Sequence, residues 1–260
     1  MGIVILTSTS GSPGVTTLAV GLALAWPRAV LLADCDPGAH QSVLAGYLAG
    51  QSANGKGLLR VAEAHRDGRS LRDVVLDQSI ELTCDPGPRR LFLPGFHKPG
   101  SAGLFGPVWS ELSEAFDRLE DAGMDVLVDA GRLGPSGLPA PLRERAAVTG
   151  LVLRSNLRSV MSARVHAATF TGQALDGVAR HPAGLLVVGE GAPYDKTEIA
   201  RALGMPVLAS VALDHGSAQH LSDGRLRPRK FESSPLAKSL HTTAGDLQSI
   251  LRRASLRVAG

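Results

Sequence analysis

The sequence predicts an α/β fold with a mainly parallel central sheet and helices on both faces. Three observations carry this. Short apolar runs alternate with helix-like stretches along the whole 260-residue chain. Several runs are continuously apolar rather than alternating, as strands covered on both faces must be. Their order, strand then helix then strand, implies right-handed βαβ units.

Taken in order, the strand candidates are GIVIL (2–6), AVLLAD (29–34), RLFLP (90–94), DVLVDA (125–130), GLVLR (150–154), GLLVVG (184–189) and PVLASVA (206–212). Helical stretches lie at 16–26, 38–48, 57–66, 107–122, 158–175, 195–203 and 234–254. There is no internal repeat and no linker rich enough in Pro, Gly or Ser to divide the chain. Residues 94–107 (PGFHKPGSAGLFGP) come closest and read as a long mobile loop at a strand end. The expectation is one domain over 1–260 with a basic helical tail from about 224.

Composition narrows the function classes. With 44% hydrophobic and 20% charged residues the chain should be globular. Only 4% of residues are aromatic, which argues against stacking platforms for single-stranded nucleic acid. The two cysteines, Cys35 and Cys84, have neither metal-site spacing nor a partner framework, as expected in a reducing cytosol. The eight histidines are scattered without ligand spacing. The apolar run 18–26 has no Lys or Arg before it and no span reaches transmembrane length, so it reads as a buried helix of a cytoplasmic protein.

Charge is uneven. The net charge is +3, yet residues 224–260 carry eight basic residues against two acidic ones, leaving a mildly acidic body. Such a tail suits an acidic counterpart, whether membrane, nucleic acid or protein, or else is a solvated helix face.

In a sheet of this kind ligands sit beyond the carboxyl ends of the strands. After the first strand comes Gly11-Ser12-Pro13-Gly14-Val15-Thr16-Thr17. Glycines let backbone N–H groups curl toward an anion, and the following helix adds its positive end. A threonine at the helix start can place its hydroxyl on Mg²⁺. Asp34-Cys35-Asp36-Pro37 follows the second strand and Asp129-Ala130-Gly131-Arg132 the fourth, so two carboxylate clusters converge on the same end. Asp34 and Asp36 could otherwise cap a helix. Cys35 reads as a small buried residue rather than a nucleophile, with no His close by in sequence.

GSPGVTT, then LLADCDP, then DVLVDAGR resembles the deviant Walker A, switch I and Walker B series of the MinD/ParA superfamily of P-loop ATPases. VVGEGAPYDKTEIARALGMPVLASVALD, followed by Asp214, is similar to the family's late strand, helix and strand. The resemblance implies a P-loop NTPase fold, ATP with Mg²⁺ as ligand, and a role in partitioning, septum placement or positioning of secretion machinery. It assigns Gly11, Ser12, Pro13, Gly14, Val15, Thr16 and Thr17 to the nucleotide, Thr16, Asp36 and Asp129 to Mg²⁺, and Asp36 to orienting water.

The family loop carries two lysines, which reach the β- and γ-phosphates and, across a dimer interface, the partner's nucleotide. Here those places hold Ser10 and Val15. The family's adenine-contacting Asn is replaced by Gly189-Glu190. A charge-assisted bond to phosphate is worth roughly 1.5–3 kcal/mol, or about one to two decades of affinity. Transfer chemistry suffers more, since it rests on positioning and charge. Arg132, beside the Walker B aspartate, is the nearest replacement by motif position.

The reading is therefore a degenerate member, a pseudo-ATPase closest in character to the CpaE/TadZ-like branch: a recruitment scaffold with weak or lost nucleotide binding, able to form a homodimer and to meet a protein partner of a pilus or secretion system. Alternatives are an active ATPase using a substitute basic residue, and a partner-binding module independent of nucleotide. A dinucleotide-dependent oxidoreductase would want G-x-G-x-x-G, which the loop lacks. Some family members bind membranes through a basic amphipathic C-terminal helix. In 249–258, Ile250, Leu251, Ala254 and Val258 share one face, away from Arg252, Arg253 and Arg257. The alternatives are a last helix packed on the sheet, or contact of residues 225–230 with DNA backbone.

Overall fold

The computed structural model describes residues 2–10, 13–98, 100–135, 137–171 and 182–258, with side chains through Ala254. In chain order the elements are β1 (Ile3–Ser8), α1 (Val15–Ala25), β2 (Val30–Asp34), α2 (Ser42–Ala45), α3 (Leu58–Arg66), α4 (Leu71–Asp77), β3 (Ile80–Glu81), β4 (Arg90–Leu93), α5 (Val108–Arg118) and β5 (Asp125–Arg132). They continue with α6 (Ala140–Arg145), β6 (Ala146–Arg154), α7 (Leu157–Thr171), β7 (Ala183–Val188), α8 (Lys196–Leu203), β8 (Val207–Val211), α9 (His215–Asp223) and α10 (Pro235–Val258).

The strands form one sheet in the order β3-β4-β2-β5-β1-β6-β7-β8, parallel except for the β3–β4 pair. Strand order reverses around β1, which has β5 on one side and β6 on the other. That is where a parallel sheet opens a crevice for ligands.

The apolar runs of the sequence are apolar because both faces are covered. Ile3 and Ile5 of β1 join one core with Leu31, Val126, Val128 and the helices α3, α4 and α5. Val4 and Leu6 join the other, with Leu32, Leu127, α1 and α10. Side chains alternate across a strand, so one β1 sequence feeds both layers. α1 is apolar nearly all round because it is walled in: Leu18, Ala19, Val20, Leu22 and Ala23 are all buried. Its partner α10 approaches so closely that a Cβ on Gly21 would lie 2.6 Å from Leu240 Cδ1. At the far end of α1, the Trp26 indole donates to buried Asp125 Oδ2 over 2.9 Å.

Several expectations are corrected. The helix expected at 38–48 shrinks to Ser42–Ala45, because residues 36–41 turn over the sheet end with Ala39 and Gln41 in the left-handed region. α4, α6, α9 and the short β3 go unanticipated; α4, α6 and β3 are too brief to show a period, and α9 (HGSAQHLSD) has Leu221 as its one large apolar residue. β6 starts at Ala146, four residues before the expected run. Within the stretch 94–107, expected to be a mobile loop, Phe96 and Phe105 are buried and stack edge-to-face with each other and with Trp109. Residues 172–175 of the helix expected at 158–175 lie outside the described residues.

Of the alternatives for the basic tail, the fold takes the packed helix. α10 packs on the sheet through Leu236, Ala237, Leu240, Ala244, Leu247 and Leu251, all buried, so its apolar face is core. Of the helix's charges, Arg252 bonds Gln248 and Arg253 bonds the Ser249 carbonyl. Among the described residues no helix is long and apolar enough to cross a membrane.

Candidate nucleotide site

β1 delivers the chain to the carboxyl end of the sheet, and α1 carries it away. Gly14 is the hinge, at φ 99°, a conformation that glycine adopts without strain. The N-terminus of α1 has no side-chain cap and no acidic residue in its first turn. Its leading N–H groups and the positive end of its dipole are therefore free for an anion. Gly11 and Ser12, assigned to the nucleotide by the resemblance, lie outside the described residues.

Around this loop is a cavity of about 660 Å³, lined by Pro13, Gly14, Val15, Thr16, Thr17 and, opposite them, Asp36, His40 and Arg132. A second cavity of about 300 Å³ adjoins it across Pro13, Gly14 and Thr17 and extends to Arg154 and Asp214. The residues singled out in the sequence from three separate strand ends thus meet at one place.

Val15 borders this space but does not bring to it the charge that a lysine would. It is buried, with Leu6 and Leu18 as members of the same apolar cluster. The loop has converted its charged position into core.

The carboxylates are arranged by the sheet. Asp34 and Asp129 are paired in register on β2 and β5, and both are buried. Asp129 Oδ1 accepts the Gly131 N–H at 2.9 Å, whereas Oδ2 is buried with no hydrogen-bond partner among the described residues. Burial raises the Asp129 pKa to about 6; the Thr16 hydroxyl and the Gly131 N–H pull against it, and the Asp36 charge adds to it. Asp34 is pushed well above the carboxylate range, by burial first and the Asp129 charge second. The same causes push up the Cys35 thiol, which is buried and unsuited to act as a nucleophile.

Asp36 holds its carboxylate out over the cavity. Oδ1 accepts the Gly38 N–H at 2.8 Å, and Oδ2 lies 2.9 Å from His40 Nδ1. Gly131, at φ 58°, makes room for it: a Cβ there would sit 2.2 Å from Asp36 Oδ1. Gly95 does the same for Asp34, with a Cβ only 2.6 Å from its Cγ.

Asp36 on the cavity and the orphaned oxygen of Asp129, buried beside Asp34, suit a divalent cation arriving with a phosphate ligand. Thr16, Asp36 and Asp129 are the residues that would hold it. By themselves they do not make a metal site: among the described residues no group of three or more His, Cys, Asp or Glu side chains is gathered to hold an ion.

Arg132 sits at the end of β5, exposed on the rim of the larger cavity. Asp214 caps α9, accepting the Ser217 N–H at 3.1 Å, and borders the smaller cavity. Glu190, at the family's adenine position, faces Lys196 at 3.7 Å instead. Two residues escaped the sequence reading. His40 was signalled only by standing four residues after Asp36. Arg154 was hidden at the end of an apolar strand.

No protein-family model and no curated protein matches the chain. Solved structures do match. A ParA family ATPase from Chlorobium tepidum superposes with a TM-score of 0.71 at 16% identity, covering 94% of this chain and 98% of that one. MinD in the MinC:MinD cell division complex of Aquifex aeolicus gives 0.70 at 17% identity, over 96% of each chain. The septum site-determining protein MinD of Pyrococcus horikoshii, complexed with Mg-ADP, gives 0.62 at 16% identity, over 97% and 98%. At such identities the likeness establishes architecture: the chain has the α/β P-loop fold of the MinD and ParA ATPases.

Proposed function

We propose that this chain, read as one unit over 1–260, is a MinD/ParA-like protein with a degenerate phosphate loop. It acts as a positioning or recruitment scaffold that binds nucleotide weakly and hydrolyses it feebly or not at all. The observation that carries this is the placement of Val15, buried in the core beneath a cavity that Thr16, Thr17 and Asp36 still line. The cradle's shape is present and its central charge is not. Backbone N–H groups and Mg²⁺ held by Thr16, Asp36 and Asp129 can retain a nucleotide. Mg²⁺ there would supply neutralisation of phosphate charge. Positioning of the transferred phosphoryl group lacks the lysine on which it depends.

The orphaned Asp129 Oδ2 supports retention of a ligand site over a module that has abandoned nucleotide. A buried carboxylate without a partner destabilises a fold that does not use it. The role follows by analogy with the fold's known members, two of whose structures are named for cell division and partition. The missing lysines favour the CpaE/TadZ-like branch, with a homodimer and a protein partner of a pilus or secretion system. Residues 225–230, exposed and basic, are the surface for DNA backbone or an anionic membrane face, since the apolar side of α10 is already used.

The test is phosphate release from Mg-ATP by the purified full chain, with Asp36→Ala as control. Turnover indistinguishable from Asp36→Ala supports the scaffold. Steady turnover abolished in Asp36→Ala means an active ATPase and overturns it.

A further inference from the structure

Resting on the reading of the loop as a phosphate cradle, we propose that Arg154 is the cation that holds the anionic group of the ligand, taking over from the other side of the loop the task of the missing lysine. The site would then grip the phosphate nearest Thr17 and discriminate little beyond it.

Arg154 is the last residue of β6, the strand hydrogen-bonded beside β1, so it emerges at the same sheet end as the loop. By strand alternation it shares a face with Val152, which belongs to the core under α1 and α10. That puts its side chain on the α1 side of the sheet, where it lines the 300 Å³ cavity with Pro13, Gly14 and Thr17.

The guanidinium is partly buried, and its Nε is enclosed with no hydrogen-bond partner. Among the described residues no ion pair or hydrogen bond engages the group. An enclosed guanidinium nitrogen without an acceptor is costly, and the group is always charged, so it cannot escape by losing its proton. Asp214, the carboxylate on the same cavity, is already committed to capping α9, which lowers its pKa through Ser217. The structure thus places a guanidinium on the cavity that the uncapped end of α1 also borders, a chemistry suited to phosphate.

Arg132 is the competing cation. It is exposed on the rim, where solvent and salt weaken its pull. On the opposite side of the loop the groups are carboxylates, Asp36 and the deeper Asp129, which repel a terminal phosphate unless a cation intervenes. Attraction is therefore concentrated at the Thr17 end.

Calorimetric titration of the full chain with ADP, Mg-ATP and pyrophosphate, for wild type, Arg154→Met, Arg154→Lys and Arg132→Ala, tests this. Wild type should bind ADP and Mg-ATP within about threefold of each other. Arg154→Met should lose about ten- to a hundredfold, Arg154→Lys should recover most of it, and Arg132→Ala should lose less than Arg154→Met. Arg154→Gln is the second neutral variant should the methionine impair folding, checked by circular dichroism and thermal melting. Wild-type affinity in a folded neutral variant, or a larger loss in Arg132→Ala, overturns the assignment of Arg154 and leaves the scaffold reading intact. Wild type silent toward all three probes also overturns it, while the hydrolysis test judges the scaffold separately.

Discussion

Asp34 and Asp129 stand opposite each other at the carboxyl ends of adjacent parallel strands, both buried, with no cationic side chain among the described residues bonded to either. The sheet holds two carboxyl groups together, both raised by burial, and the Asp129 charge pushes Asp34 up further. This is a configuration to be relieved by a ligand, and it makes the fold sensitive to pH.

Asp129 titrates near 6 in the folded chain, chiefly through burial, against about 4 in the unfolded one. Between those values the folded state keeps a proton that the unfolded state has released. Stability therefore falls as pH rises through this window, and the loss is complete above it. Asp34 pushes in the same direction. Asp129→Asn should flatten the fall and raise stability at pH 7 by about 2–3 kcal/mol, measured by urea unfolding at pH 4.5 and 7.5. An unchanged slope would mean that the carboxylate is ionised and accommodated.

Val15→Lys tests the cradle directly. The substitution restores charge at a position whose side chain already borders the cavity. Mg-ATP affinity should rise about ten- to a hundredfold by calorimetry. The ligand-free protein should lose roughly 1–3 kcal/mol of stability, since a core valine gives way to an ammonium. No gain in affinity would mean that the loop's shape is no longer a phosphate site.

Trp26 and Asp125 form a buried bond far from the site, at 2.9 Å. Trp26→Phe leaves Asp125 Oδ2 without its donor, with Oδ1 still accepting the Gly2 N–H at 3.3 Å. The cost should be about 1–3 kcal/mol in denaturant, with nucleotide affinity unchanged. A neutral result would show that water replaces the indole.

Leu240 of α10 packs against Gly21 of α1, and both belong to the sheet's covered face. Leu240→Ala should destabilise the chain by about 2–5 kcal/mol. If the last helix were instead a detachable membrane anchor, the same change would leave the unfolding midpoint where it was.

The fold class, seven of the strands and the placement of Thr16, Asp36 and Asp129 at one sheet end were legible in the sequence. Each rests on a local rule: continuous apolar runs for covered strands, glycines before a helix, acids immediately after strands. The missing lysine was equally plain at Val15, as were the two acid clusters. What the sequence left open depends on contacts between distant segments. Asp129 becomes a weak acid because the layers packed on β5 exclude water and, secondarily, because the Asp36 charge lies close to it. Asp36 reaches the cavity because Gly131, from another strand, has no Cβ. The tail's basic helix reads in sequence as either a membrane anchor or a last helix packed on the sheet, because an amphipathic face is the same pattern whether sheet or lipid covers it; in the fold its apolar face through Leu251 is buried. Arg154 enters the site only when β6 is laid next to β1. Local chemistry fixes which groups are available; the sheet order decides which of them meet.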